Sequence, residues 1–168
     1  MGLEYRMMGL VPYNLSPIQQ GIQFGHAIQE YNNDRKYGEC SKFNAWRFKH
    51  KTFMVMNGGT TRTNPSDPGT MQNHVDALQD IIGNNYATFK EPDLNNALTA
   101  VVFLVDERVW DKEKYPEFED WFWAKYPLGL GSTVVDEIKE SDYSKWLQLL
   151  GGEQNVKLRE FLSQFSLA

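Results

Sequence analysis

The chain is poor in the residues that build disulfides and metal sites. Its 168 residues include one cysteine, Cys40, which excludes a disulfide framework and a cysteine-rich zinc site. The three histidines, His26, His50 and His74, show no H-x-x-x-H spacing, so we predict neither a metal site nor a cofactor. Cys40 has no evident basic partner and is predicted to be a small buried residue.

Long apolar runs and an excess of basic charge are also missing. No run approaches the roughly 18 apolar residues of a membrane span, and Arg6 interrupts a weakly apolar N-terminus that does not resemble a secretory signal. The net charge of −5 argues against a general nucleic-acid binder. We therefore expect a soluble, cytoplasmic protein without a membrane partner. A local basic cluster interrupts this background at Arg35, Lys36, Lys42, Arg47, Lys49, His50, Lys51 and Arg62.

The most informative segment, residues 15–31, is predicted to be a helix with two opposed faces. Ser16 suits the N-cap, and Pro17 is tolerated in a first turn. One face carries Ile18, Gly21, Ile22, Gly25 and Ile28, and the other carries Gln19, Gln23, His26 and Glu30. A helical glycine costs roughly 1 kcal/mol relative to alanine, so we expect the glycines to mark the close approach of another backbone. The amide and imidazole face then meets solvent or lines a site.

The order of predicted elements is β-α-α-β-α-β-β, followed by helices. This order predicts an α/β fold with a mixed four-stranded sheet, helices on both faces and a helical C-terminal extension. Residues 1–112 form the predicted α/β domain, and residues 113–168 the extension packed on it. The uniformly apolar run from Thr99 to Val105 is the expected central strand. Later helices are predicted to begin at Pro116 and Ser141, and a last one to present Leu158, Phe161, Leu162 and Phe165.

The first helix resembles that of the type 2 peptidyl-tRNA hydrolase family, which carries a pattern close to G-K-x-A-A-Q-x-x-H-A. Gln23, His26 and Ala27 keep the Q-x-x-H-A portion. The family also has a D-x-G-x-T turn between its last two strands, and residues 91–95, E-P-D-L-N, stand in the matching place. The resemblance covers roughly residues 5–112. It departs at the family's lysine, which aligns with Gln19, and in the turn, which lacks the glycine.

The resemblance implies hydrolysis of the ester that joins a peptide to the 3′ end of tRNA. Such a reaction needs a general base for water and polarisation of the ester carbonyl. Either Glu91 or Asp93 is then the base, and the amides of Gln19, Gln23 and Asn95 hold the carbonyl or the ribose hydroxyls. His26 is an orienting group in this interpretation. The missing lysine removes a cation that would stabilise developing negative charge.

Other interpretations of these residues remain open. His26 is structural in many such helices, and the acidic turn could simply be solvated. Residues 57–61, N-G-G-T-T, could hold a phosphate on Asn57, Thr60 and the backbone amides, although an ordinary loop is the simpler alternative. The alternative to a hydrolase is a non-catalytic protein that binds a nucleotide, a metabolite or a protein segment. The aromatic segment from Trp110 to Tyr126 is expected either to pack in a core or to contact a protein partner, with a homodimer as one option.

Overall fold

The computed structural model describes residues 2–34, 41–131 and 134–168. Cys40, predicted to be buried, and the basic-cluster members Arg35 and Lys36 lie outside these residues.

Four strands form one mixed sheet in the order β2-β1-β4-β3. The strands are β1 (Tyr5–Val11), β2 (Thr52–Asn57), β3 (Ala87–Glu91) and β4 (Ala97–Asp106). β1 is parallel to β2 and antiparallel to β4, which is also antiparallel to β3. Nine of the ten β4 residues are buried, as expected for a central strand. The predicted α/β fold with a mixed four-stranded sheet is confirmed.

The helices agree with most of the predicted positions. They are α1 (Pro17–Asn33), α2 (Ser41–Ala45), a π-helical turn (Trp46–His50), α3 (Thr70–Ile82), a 3-10 turn (Pro92–Leu94), α4 (Glu107–Trp110), α5 (Phe118–Lys125), α6 (Val135–Leu150) and α7 (Glu153–Ser163). Phe43 and Trp46 are buried, and so are Met71, Val75, Leu78 and Ile82 of α3. Among the described residues, no helix combines the length and apolar content needed to cross a bilayer.

The prediction for the two faces of α1 is wrong. Ile18 and Ile22 are 77% and 50% exposed, and a Cβ added at Gly21 or Gly25 would meet nothing within 4 Å. The buried residues of the helix are Gln23, Phe24, Ala27 and Tyr31. Two aromatic rings bury more apolar surface than two isoleucines, and the spacing of Phe24, Ala27 and Tyr31 places them on one face. The glycines and the first two isoleucines of this face therefore point to solvent, whereas Ile28 is partly buried against the core.

The close approach occurs instead at a glycine of the sheet. Gly9 lies in β1, and a Cβ added there would overlap the ring of Phe24. Phe24 belongs to the core on this side of the sheet together with Met7, Val11, Ala27, Tyr31, Phe43, Trp46, Ala100 and Val102. Because Gly9 has no side chain, the Phe24 ring of α1 can pack directly on the backbone of β1.

The end of the chain differs from its predicted form. Phe165 lies beyond α7, which ends at Ser163. The following residues run beside β2: Asn57 N donates to Ser166 O at 2.9 Å, and Ala168 N donates to Val55 O at 3.0 Å. A short antiparallel bridge between Met56 and Leu167 therefore covers part of the β2 edge.

The chain divides into two compact units. Unit 1 comprises Met1–Asp106 together with Leu162–Ala168, and unit 2 comprises Glu107–Phe161. The sequence places the boundary at residue 112 and assigns the whole remainder to an extension. The chain instead returns to unit 1 for its last seven residues. This return could not be predicted because those residues show no strand pattern.

Unit 2 is held by an aromatic core and a buried carboxylate. Tyr115, Trp146 and Leu150 form the core, with Phe118 and Trp121 packed against it. The aromatic segment is therefore largely accounted for by packing inside unit 2, although Trp123 is 40% exposed. A protein partner on this segment stays a prediction.

Asp142 is the buried carboxylate of unit 2. It is 2% exposed and accepts hydrogen bonds from Lys125 Nζ at 2.8 Å, Lys145 Nζ at 2.9 Å and Tyr126 Oη at 3.1 Å. These donors, Lys125 first, lower the pKa of Asp142 to about 2. Asp142 lies well inside α6, so the predicted helix start at Ser141 is wrong. The preceding residues lack an apolar period, but Asp136 and Glu137 suit the first turn of a helix.

We expect Gly9→Ala to destabilise the protein by about 1–3 kcal/mol, because the added methyl group must displace the Phe24 ring. The matched variant Gly25→Ala adds the same group where space is open, and we expect it to stabilise α1 by up to about 1 kcal/mol. Urea denaturation measures both. A neutral Gly9→Ala would contradict the close packing of α1 on β1.

We expect the hydrogen bonds of Asp142 to stabilise unit 2 fully above about pH 4, and this contribution to be lost as the pH falls through about 2, because the folded pKa lies below the usual 3.8. Asp142→Asn should lower the stability at pH 7 and flatten its dependence on pH over this interval. Denaturant titrations monitored by near-ultraviolet circular dichroism test this. Asp120→Asn, at an exposed position of α5, is the control and should behave like the wild type.

Candidate functional site

Three connections meet at one edge of the sheet in unit 1. The parallel strands β1 and β2 both end there, and the antiparallel arrangement of β4 brings the β3–β4 connection to the same edge. The connections are residues 12–16, 58–69 and 92–96. Ligand sites of open α/β sheets commonly lie beyond the carboxyl ends of parallel strands. Glu91, Asp93 and Asn95, which the resemblance indicates, belong to this edge, and so do Asn57 and Thr60 of the possible phosphate loop.

Asparagine side chains tie the three connections together. Asn14 and Thr61 exchange two hydrogen bonds: Asn14 Nδ2 donates to Thr61 O at 2.8 Å, and Thr61 N donates to Asn14 Oδ1 at 3.1 Å. Asn95 Nδ2 donates to Thr63 O at 2.8 Å. The role of Asn14 was not predicted, because in sequence it reads only as the residue that ends a strand.

The amide face of α1 and the acidic turn meet through Gln23. Gln23 Nε2 donates to Glu91 Oε2 at 2.7 Å, and Gln23 Oε1 accepts a hydrogen bond from Thr99 Oγ1 at 2.7 Å. Because a carboxylate only accepts hydrogen bonds, the amide nitrogen must face Glu91, and the amide oxygen then faces the Thr99 hydroxyl. Gln23 is 6% exposed and Thr99 is fully buried, whereas Glu91 is only partly buried. Gln23 and Thr99 therefore hold the Glu91 carboxylate in place at this edge of the sheet.

A β-bulge brings Thr99 into this arrangement. Phe89 pairs with Ala100 but Lys90 pairs with Leu98, so Thr99 is an extra residue in β4. Such a bulge redirects the side chain of the inserted residue. The side chains of Thr99 and Ala100 therefore both lie on the side of the sheet that α1 covers, where Thr99 contacts Gln23. An unbroken alternation would have placed Thr99 and Ala100 on opposite faces.

His26 and Asp93 lie close to this carboxylate in different ways. His26 is one turn along α1 from Gln23, and its imidazole ring packs on Phe89, with 4.5 Å between ring centroids. Its exposed side chain makes no hydrogen bond within the described residues. Asp93 N donates to Glu91 Oε1 at 3.4 Å, while the Asp93 carboxylate is exposed. Of the two predicted bases, Glu91 is thus the one that the neighbouring side chains hold.

The remaining predicted site residues have local structural partners. Gln19 Oε1 accepts hydrogen bonds from Ser16 N and Ser16 Oγ, each at 3.0 Å, as part of the α1 capping box. Asn57 Oδ1 accepts from Gly59 N at 2.9 Å. Thr60 Oγ1 accepts from Thr70 N at 3.3 Å. These contacts shape the connections, and they leave Gln19 engaged away from Glu91.

A cavity of about 450 Å³ opens beside the β3–β4 connection, and Asn95 and Lys90 are part of its wall. Within the described ranges no group of three or more histidine, cysteine, aspartate or glutamate side chains could hold a metal ion.

Comparison with known proteins adds no relative: no protein-family model matches the chain, and no curated protein or solved structure is significantly similar to it.

We expect Thr99→Val to destabilise the protein by about 1–3 kcal/mol, because it leaves the buried Gln23 amide oxygen without a donor. Thr99→Ser keeps the hydroxyl and is the matched variant, with a smaller loss from the missing methyl group. Urea denaturation measures the difference between the two. Equal stability of the valine and serine variants would contradict the role of this hydrogen bond.

Proposed function

We propose that the protein is an ester hydrolase of the peptidyl-tRNA hydrolase type, with Glu91 as the general base. The hydrogen bond of 2.7 Å between Gln23 and Glu91 carries the proposal. It joins the helix and the turn on which the resemblance rests. Glu91 is partly open to solvent, where a water molecule can reach it. A cytoplasmic location, where peptidyl-tRNA occurs, is part of the proposal.

Each neighbouring side chain has a distinct part in this mechanism. Gln23 orients the carboxylate, and the Thr99 hydroxyl holds the amide oxygen of Gln23. Glu91 takes a proton from water as the oxygen of that water attacks the ester carbonyl. The bond between the carbonyl carbon and the ribose 3′-oxygen then breaks, and Glu91 returns its proton to that oxygen, which leaves as a hydroxyl. His26, exposed one turn from Gln23, is placed to contact the substrate. Asn95 has no proposed part in the chemistry, since its amide nitrogen donates to Thr63 O.

One observation favours the second candidate, a non-catalytic binding protein with the same fold. No lysine or arginine of the described residues forms an ion pair with Glu91. Gln19, which aligns with the family's lysine, is engaged in its capping box. A missing donor to the developing oxyanion costs about 3–4 kcal/mol, or a factor of 10²–10³ in rate. A hydrolase built in this way is slow.

The test is a turnover assay with N-acetyl-aminoacyl-tRNA and purified full-length protein. We expect slow, measurable release of the N-acetyl amino acid. Glu91→Gln should lower kcat by about 10²-fold or more, the usual contribution of a general base. Gln23→Leu should lower kcat with little change in KM, because Gln23 acts through Glu91. Gln23→Glu is a further variant, and its second carboxylate beside Glu91 should also reduce the rate.

Asp80→Asn, at an exposed position of α3, is the control and should keep the wild-type rate. Asp93→Asn identifies the base: a loss in this variant, with Glu91→Gln fully active, would contradict the assignment to Glu91. Absence of turnover in the wild type would favour the binding protein. Circular dichroism of each variant ensures that a lost rate reflects chemistry and not unfolding.

A further inference from the structure

The cavity beside the β3–β4 connection lies on the opposite face of the sheet from Glu91. Successive residues of a strand point to alternate faces, so Lys90 points away from the side that carries Phe89 and Glu91. Lys90 and Leu98, which pair across the two strands, both line the cavity. Its other lining residues are Arg62, Thr63, Asn64, Pro65, Pro68, Gln72, Asn95, Asn96 and Ala97. All of them belong to unit 1.

The charge of this cavity is opposite to that of the whole chain. The net charge of the protein is −5, yet no carboxylate belongs to the lining. Arg62 is paired with Asp67. Lys90 is exposed and has no ion-pair partner within the part of the chain that the structure describes. The cavity therefore offers one uncompensated positive charge, with a second cation at its rim.

The remaining lining combines polar and apolar groups, as sites for small organic molecules do. The amides of Asn64, Gln72, Asn95 and Asn96 line the opening. Asn64 Oδ1 accepts from Ser66 N, Gln72 Nε2 donates to Asp76 Oδ1 and Asn95 Nδ2 donates to Thr63 O, so each of these three amides keeps only its remaining hydrogen-bonding capacity for a ligand. Ala97 and Leu98, both buried, give the lining an apolar surface, and Pro65 and Pro68 also belong to the lining. Sites for organic ligands usually join an apolar wall to a few placed polar groups and measure roughly 300–1,000 Å³. The volume of about 450 Å³ exceeds that of an isolated inorganic anion.

The backbone around the opening is held in an unusual conformation. Asn95 and Asn96 both have positive φ angles, 54° and 57°. L-residues adopt this region at an energetic cost, which asparagine tolerates better than most. The hydrogen bond from Asn95 to Thr63 O holds the turn, and so does one from Asn96 N to Glu91 O at 3.0 Å. The wall is thus preformed, and a ligand would not have to order it.

We propose that this cavity binds a phosphorylated small molecule of nucleoside monophosphate size. The phosphate group lies at Lys90, and the organic part rests on Leu98 and the prolines. A phosphate suits this wall because Lys90 has no ion-pair partner among the described residues and no carboxylate belongs to the lining. The site is separate from Glu91, so the inference stands whether or not the protein hydrolyses an ester.

Isothermal titration calorimetry with AMP, adenosine and inorganic phosphate tests the proposal. AMP should bind more tightly than either fragment, and its affinity should fall as salt is raised, because the contact at Lys90 is ionic. Lys90→Gln should weaken AMP binding about tenfold or more, the effect expected of a charged hydrogen bond. Lys90→Arg should retain most of the affinity. Lys49→Gln, at an exposed lysine outside the cavity, should bind as the wild type does.

A second measurement uses the wild-type protein alone. Acetylation of lysines, followed by mass spectrometry, should show that AMP protects Lys90 and leaves Lys49 reactive.

Glu91→Gln should bind AMP normally, which separates this site from the proposed hydrolase. Equal affinity for AMP and adenosine, binding of free phosphate as tight as that of AMP, or an unchanged affinity in Lys90→Gln would each overturn the proposal.

Discussion

The buried hydroxyl of Thr99 is the constraint on which the candidate catalytic edge depends. It donates to the Gln23 amide oxygen while the amide nitrogen donates to Glu91, so both ends of the amide are held. A buried amide without this partner would lose a hydrogen bond that water cannot replace. The same contact joins the middle of α1 to the central strand. The position and orientation of the Glu91 carboxylate therefore depend on side-chain contacts that reach into the core.

Most of the fold could be predicted from the sequence, because its signals are local. The apolar run of β4 and the N-cap Ser16 of α1 both lie within a few residues of the structure that they produce. The faces of α1 could not be assigned in the same way. Three isoleucines and two glycines suggested the packed side, but Gly9, in another element, provided the space for Phe24. Such complementarity depends on residues distant in sequence.

The candidate site was predictable only in part for a related reason. Gln23 and Glu91 are indicated by the resemblance. Their hydrogen bond forms because α1 packs on the face of the sheet to which Glu91 of β3 points. Thr99 is read in sequence as one more residue of a core strand, since a bulge leaves no signal there. Asn14 likewise reads as a strand terminator, although it links two connections. In sequence, Lys90 is simply a polar residue of a strand. Its place in the wall of a cavity depends on residues of the β2–α3 and β3–β4 connections, which are distant in sequence or lie beyond the strand.

The bridge between residues 166–168 and β2 has a consequence for biosynthesis. Those residues leave the ribosome after all of unit 2, although they complete the edge of the unit 1 sheet. Until then the backbone of Val55 and Asn57 on that side has no strand partner, and exposed edges promote association between nascent chains. Unit 2 can fold in the interval. The sheet of unit 1 is therefore completed only after the whole of unit 2 has been translated.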